Sequence, residues 1–394
     1  MTSTTNFTAK SAGDRWKKLR TFLGAGAAAA ALMSASAANA GATIEFGDGQ
    51  SINVGMGMRT SFTSAEDAAP NGSRSSDFEL DSIRLYLNAN LTDTIKGTFN
   101  TERNSDGDIK LLDGYARFEF NDAFNIWAGR MLPPSDRANL DGPYYLSSWN
   151  YPGVVSQYPA KFAGRDNGVT VWGKVFDKKL TYAVGAFEGH NEISGASSEG
   201  DNLLYAGRVA YNFWEVEDNP AYYTSSTYYG SADVLTLAFA LQYQKDGVGL
   251  AGASGDYLGY NVDLLMEKKV MDGGAITLEG AYYKFDTDDT FDVAPGFGGA
   301  GSTDNVGGIT QGDGYLVSAA FLFPQEVGMG KFQPVVRYQN FDADLTGVET
   351  EQYDFGVNYI IKGHNARLSA VYAIADTNAT SSSDAFIAGL QLQF

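Results

Sequence analysis

The chain contains no cysteine and only 2 histidines in 394 residues, and its 28 basic residues are outnumbered by 47 acidic ones. Without cysteine there is no disulfide framework, even in a compartment that would permit one. Scarce histidine leaves little for hydrolysis, which needs a positioned base beside a nucleophile or a water. His190 falls in a loop and His364 in a short turn at the opposite rim, so no single site could use both. An outer-membrane hydrolase would have to rest on His190 with Glu188 or Glu192, and a lone loop histidine among acids reads first as solvated. A formal charge of −19 argues against nucleic-acid binding, where phosphate contacts need a basic face. Beyond residue 40 no apolar run approaches the roughly 20 residues of a membrane-crossing helix.

What is present begins with an export signal. Trp16-Lys17-Lys18-Leu19-Arg20 is basic, Phe22 to Met33 is apolar, and Ala38-Asn39-Ala40 is a small-x-small cleavage site. That order reads as a Sec signal peptide over residues 1–40, a retained anchor helix being the alternative. Cleavage would remove Lys10, Arg15, Lys17, Lys18 and Arg20 against Asp14, taking the charge from −19 to −23.

The remainder, 41–394, is rich in glycine (46), tyrosine (23) and phenylalanine (24), and its hydrophobic period is two. Ile52, Val54, Met56, Met58, Thr60 and Phe62 alternate with Asn53, Gly55, Gly57, Arg59 and Ser61. Such alternation is a strand with one apolar and one polar side. Repeats of it predict sixteen strands, from 51–62 to 385–394. Their connections alternate between short turns and long loops rich in Gly, Ser, Asp and Asn, as in outer-membrane barrels. Only Glu215–Gly230 breaks the short series. Strands of about ten residues suit the apolar slab, where only a helix or an edgeless sheet satisfies every backbone group. The expected fold is therefore all-β: a transmembrane antiparallel up-and-down barrel of about sixteen strands. Pro334 is expected near a strand start or at a bulge, and Asp81-Ser82 breaks the alternation of the second strand.

A barrel this wide leaves an aqueous channel unless something enters it. The longest loop, about 132–168, carries five prolines with Tyr144, Tyr145, Trp149 and Tyr151, and is expected to fold inward as a constriction. By parity Arg59, Arg84, Arg117, Arg208, Arg337, Arg367, Lys96 and Lys174 face the lumen. Two readings stand side by side: these cations contact passing anions, or they pair with inward acids such as Glu119, Asp263, Glu279 and Asp354.

Several stretches carry a family resemblance: Ile83-Arg84-Leu85-Tyr86-Leu87, Gly129-Arg130-Met131-Leu132-Pro133-Pro134, Gly164-Arg165-Asp166-Asn167-Gly168-Val169, and Leu180 to Gly189. They resemble the phosphate-selective porin O and P family, chiefly over residues 80–190, and the alternating last strand ending in Phe394 extends the likeness. The resemblance implies a homotrimeric diffusion pore in the outer-membrane lipid, passing small hydrophilic or anionic solutes past arginines and a cationic constriction. Arg130, Arg137, Lys161 and Arg165 are the constriction cations here, opposed by Asp136, Asp141 and Asp166, a departure from that family's lysine cluster. No cofactor or metal is expected. The alternatives are a non-selective porin, or a surface receptor or structural barrel whose acidic loops, 104–108 and 286–289, offer calcium hard oxygens.

Overall fold

The computed structural model describes residues 41–47, 49–103, 107–158, 163–189, 202–250, 252–290 and 309–394. Residues 1–40 and Lys161 lie outside the described residues, as do His190 and residues 104–106 of one acidic loop. The first strands are β1 (Ala42–Phe46), β2 (Gln50–Ala65), β3 (Ser75–Asn90), β4 (Ile95–Arg103), β5 (Ile109–Asn121) and β6 (Phe124–Met131). A short helix, α1 (Arg137–Tyr145), precedes β7 (Asp166–Val175), β8 (Leu180–Phe187), β9 (Leu204–Asn212), β10 (Val234–Leu250) and β11 (Ala253–Val270). The chain ends with β12 (Gly274–Asp286), β13 (Gly312–Leu322), β14 (Lys331–Ala343), β15 (Glu349–Lys362), β16 (Ala366–Thr377) and β17 (Thr380–Gln393).

Strands β2 to β17 pair antiparallel with their sequence neighbours, and β17 returns to pair with β2 from Ala385↔Ala65 to Gln393↔Gly57. Met56 and Phe394 exchange backbone hydrogen bonds of 2.6 and 2.9 Å at that seam. The sheet is thus a closed sixteen-stranded barrel, as the alternation predicts. β1 is the extra strand. It takes the edge of β2 at residues 50–54 that β17 leaves free, and all five of its residues are exposed.

Side-chain alternation places large apolar groups outside. On β10, Leu237, Phe239 and Leu241 are exposed while Ala238, Ala240 and Gln242, which alternate with them, are buried. This inverts a water-soluble sheet and fits a barrel wall bathed in lipid, whose closure leaves no edge unpaired. Rings gather near both rims. Tyr338 packs against Tyr315 and Tyr353 at centroid distances of 5.6 and 4.7 Å towards the long-loop end. Phe332–Tyr359 and Phe321–Phe323, each 5.0 Å apart, lie towards the turn end.

The two irregularities resolve physically. Between the pairs Arg59↔Ser82 and Ser61↔Glu79, Leu80 and Asp81 oppose Thr60 alone, a β-bulge that accounts for the broken alternation. Pro334 is the fourth residue of β14, and the ladder to β13 starts beyond it, at Val335↔Ala320. Its missing N–H therefore costs no hydrogen bond on that side.

Candidate functional site

The third loop spans 132–165, because β7 begins at Asp166, and its described residues, 132–158 and 163–165, lie inside the barrel. Pro133-Pro134 ends β6, and Asp136 then caps α1, its Oδ1 accepting from Asn139 N at 3.2 Å. Gly142, at φ +58°, and Pro143 kink the helix so that Tyr144 and Tyr145 turn down the lumen. Irregular backbone like this leaves carbonyls without ladder partners, and buried carbonyls need donors. The wall supplies them from seven strands. Gln242 donates to Pro134 O (2.9 Å), Arg208 to Ser135 O (3.0 Å) and Gln391 to Tyr144 O (2.9 Å). Arg367 donates to Leu146 O (2.6 Å), Asn358 to Ser147 O (2.8 Å), Arg59 to Trp149 O (2.6 Å) and Arg337 to Asn150 O (2.8 Å).

Inward glycines make room for the loop's rings. A Cβ on Gly57 would lie 2.9 Å from Tyr144 Cζ, and one on Gly389 would lie 2.6 Å from the Trp149 ring. Arg59 also stacks on Trp149, 3.9 Å from its centroid.

A second segment enters from the turn end. The β9–β10 connector, 213–233, is the one turn that the sequence pattern marks as too long. Its neck is closed by a bridge between Glu215 and Val234. Beyond the neck, Tyr222 packs on Trp127 at 5.4 Å and donates to Leu132 O at 2.7 Å. Arg137 forks onto Glu217 at 2.7 and 2.9 Å, Thr224 donates to Arg137 O, and Ser226 donates to Asp141 at 2.5 Å. On the wall, Glu267 alone accepts from Thr227 Oγ1, Tyr228 N and Gly230 N, besides Thr277 Oγ1 on its neighbouring strand. His364, in the β15–β16 turn, ties both insertions: Nε2 lies 2.9 Å from Thr227 O and Nδ1 3.2 Å from Tyr144 O.

All eight cations expected on the lumen wall lie on the inner face, and most have acidic partners. Arg84 bonds Glu102 (2.6 Å), Arg208 forks onto Asp263 (2.5 and 2.8 Å), and Arg337 meets Asp354 (2.5 Å). Lys96 and Arg117 share Glu119, at 2.8 and 3.6 Å. Among the loop cations, Arg165 pairs with Asp113 (3.1 Å), Arg137 with Glu217, and Arg130 bonds the Asn167 amide oxygen (2.9 Å). Arg59, Arg367 and Lys174 have no carboxylate partner among the described residues. The first two hold the loop, and Lys174 donates to Asn219 O at 2.8 Å.

Burial shifts the titrating groups on the two insertions. It raises the Asp136 carboxyl to about 6, against hydrogen bonds from Tyr283 and Ser156. It pushes Asp141 well above the carboxylate range, with nearby Glu279 adding to the effect. Burial also opposes ionisation of Glu217, but the Arg137 guanidinium overcomes it and holds that carboxyl below its ordinary value. For His364, burial and then Arg367 lower the imidazole to about 4 despite the two carbonyls.

The lumen is consequently tight. Every barrel strand has a buried inward residue: Arg59, Arg84, Glu102, Asp113, Trp127, Thr170, Ala183, Arg208, Gln242, Asp263, Thr277, Ser318, Arg337, Asp354, Ser369 and Gln391 in chain order. Parity finds these faces. It does not identify Gln242, Asn358, Gln391, Gly57, Gly389, Glu267 or His364 as docking residues. Inward amides and glycines were the available signal, meaningful only once a loop is known to lie against them. Among the described residues no group of three His, Asp or Glu side chains could hold a metal ion. In the acidic 286–289 stretch, Asp286 accepts from Asp288 N instead.

The barrel and its inserted third loop define a porin-type transmembrane barrel. No family description and no curated protein matches the chain. Solved structures do. The anion-selective porin from Comamonas acidovorans superimposes with a TM-score of 0.57 at 14% identity, covering 88% of this chain and 100% of that one. OprB from Pseudomonas putida gives 0.58 at 10%, covering 87% and 94%. The outer-membrane channel DcaP of Acinetobacter baumannii gives 0.54 at 13%, covering 90% and 100%. At such identities the likeness is one of fold.

Proposed function

We propose that the chain is an outer-membrane porin of a Gram-negative cell, exported by residues 1–40, that lets small hydrophilic solutes diffuse and prefers anions. The observation that carries the preference is the arc β16–β17–β2. There Arg367 and Arg59 lie on the inner face with backbone carbonyls as hydrogen-bond partners and, among the described residues, without a direct ion pair to a carboxylate. Both lie buried beneath the third loop, so a passing anion feels their field without touching them. Phosphate selectivity is a narrower reading that rests on the sequence resemblance, whereas Arg137 and Arg165 are occupied by Glu217 and Asp113. Association as a homotrimer likewise follows the resemblance, and cross-linking in detergent tests it.

Reversal potentials across a planar bilayer in a salt gradient test the selectivity. The expected sign is that of anion preference, falling when Arg59 and Arg367 are both changed to Gln. A cation-selective potential would remove the claim. The buried lumen favours a second reading, a structural barrel, and that reading requires silence from every variant.

A further inference from the structure

We propose that the β9–β10 connector is a gate: in the folded state it closes the lumen from the turn end, and conduction requires it to swing out about its neck. The proposal rests on the pore reading and adds the moving part. Adjacent antiparallel strands need only about two to five residues to turn. The other turns here are short, so the length of 213–233 serves something other than connection. Its ends are pinned at Glu215 and Val234, as in a compact loop that moves as a body.

The connector's main hold on the wall is one carboxylate, Glu267, assisted by Lys174 and His364. It also meets the wall through Gln333 on Thr227, Tyr115 on Tyr223 and the packing of Tyr222 and Tyr223 on Trp127, and it grips the third loop through Glu217 on Arg137 and Ser226 on Asp141. The third loop, by contrast, is fastened to seven strands by its carbonyls. A force or ligand that separates the two therefore moves the connector. It has water to enter at the turn end, where its charged and hydroxyl groups would be solvated without loss.

Single-channel recording tests this with two variants. In the first, residues 217–231 are replaced by Gly-Asn-Gly, a turn like the others. At least a threefold higher conductance than the full chain is expected. In the second, Ser226→Cys and Asp141→Cys are combined in a chain with no other cysteine. Oxidation should hold conductance at the closed level, and a reductant should restore it. Equal conductance from the shortened and full chains, or from the oxidised and reduced pair, would overturn the gate. Silence from every variant, the shortened one included, would instead contradict the pore reading and the gate with it.

Discussion

Two segments enter the same lumen and are held in opposite ways. The third loop is irregular, carries many prolines, and is gripped through its own carbonyls by side chains of seven wall strands, with Tyr144 and Trp149 seated over Gly57 and Gly389. The connector's hydrogen bonds gather on one wall carboxylate, Glu267, beside ring packing on Trp127 and an ion pair with the loop itself. A segment tied at many backbone points lets go only when the barrel does. One whose hydrogen bonds gather on a single wall carboxylate and a single ion pair can be released while the barrel stands, because opening can be local.

The sharpest way to break that contrast is Arg137→Met. Removing one partner of a buried ion pair costs roughly 3–5 kcal/mol, most of it the stranded charge. Glu217 can escape that cost by leaving the lumen, so the variant should become sensitive to protease within 213–233 while the barrel core keeps its melting temperature. Loss of the whole barrel would mean that connector and loop are one unit.

Acid should separate the two next. His364 is neutral in the folded state, with its imidazole lowered to about 4 from 6.5. The unfolded chain therefore binds the extra proton, and the residue's contribution is complete above pH 6.5 and declines as pH falls towards 4, by up to about 3 kcal/mol. Asp136 runs the other way. Raised from 3.8 to about 6, its carboxyl contributes fully below pH 3.8 and less as pH rises through 6. Acid thus loosens the His364 tie, which the connector shares with Tyr144, and relieves the buried charge of Asp136 on the loop. Connector cleavage should quicken from pH 7 to 5 in the wild type, and His364→Gln should flatten that slope. A wild-type rate indifferent to pH would contradict the assignment.

The smallest effect expected is at the loop's sockets. Gly389→Leu places a side chain where Trp149 now lies, and overpacking of this kind costs about 1–3 kcal/mol. The unfolding midpoint in urea should fall, and protease sensitivity of the connector should not change. The reverse pattern would show that Trp149 supports the connector rather than the wall.

The sequence made the barrel legible because period two marks each wall strand without knowledge of its neighbours. It also marked the third loop by length and the connector by its break from the short turns. β1 escaped because five residues of Ala-Thr-Ile-Glu-Phe carry too short a pattern to stand out. Glu119, Asp263 and Asp354 were legible as inward acids, but which cation each meets was not. Parity tells which face Arg208 and Asp263 share, but not that pairing through β10 brings β9 and β11 to matching height. Nor could composition tell that Tyr222 to Tyr229, a run of hydroxyl-bearing residues, would be swallowed by the lumen, since its acceptors on Glu267 and Asp141 are distant in the chain.

The most direct test of the whole account is stepwise current from the purified, detergent-folded protein in a planar bilayer, with the connector-shortened chain alongside. Discrete steps, larger for the shortened chain and anion-selective in a salt gradient, are predicted. A bilayer that stays silent for both chains, each verified as folded β-barrel by its circular dichroism, would contradict it.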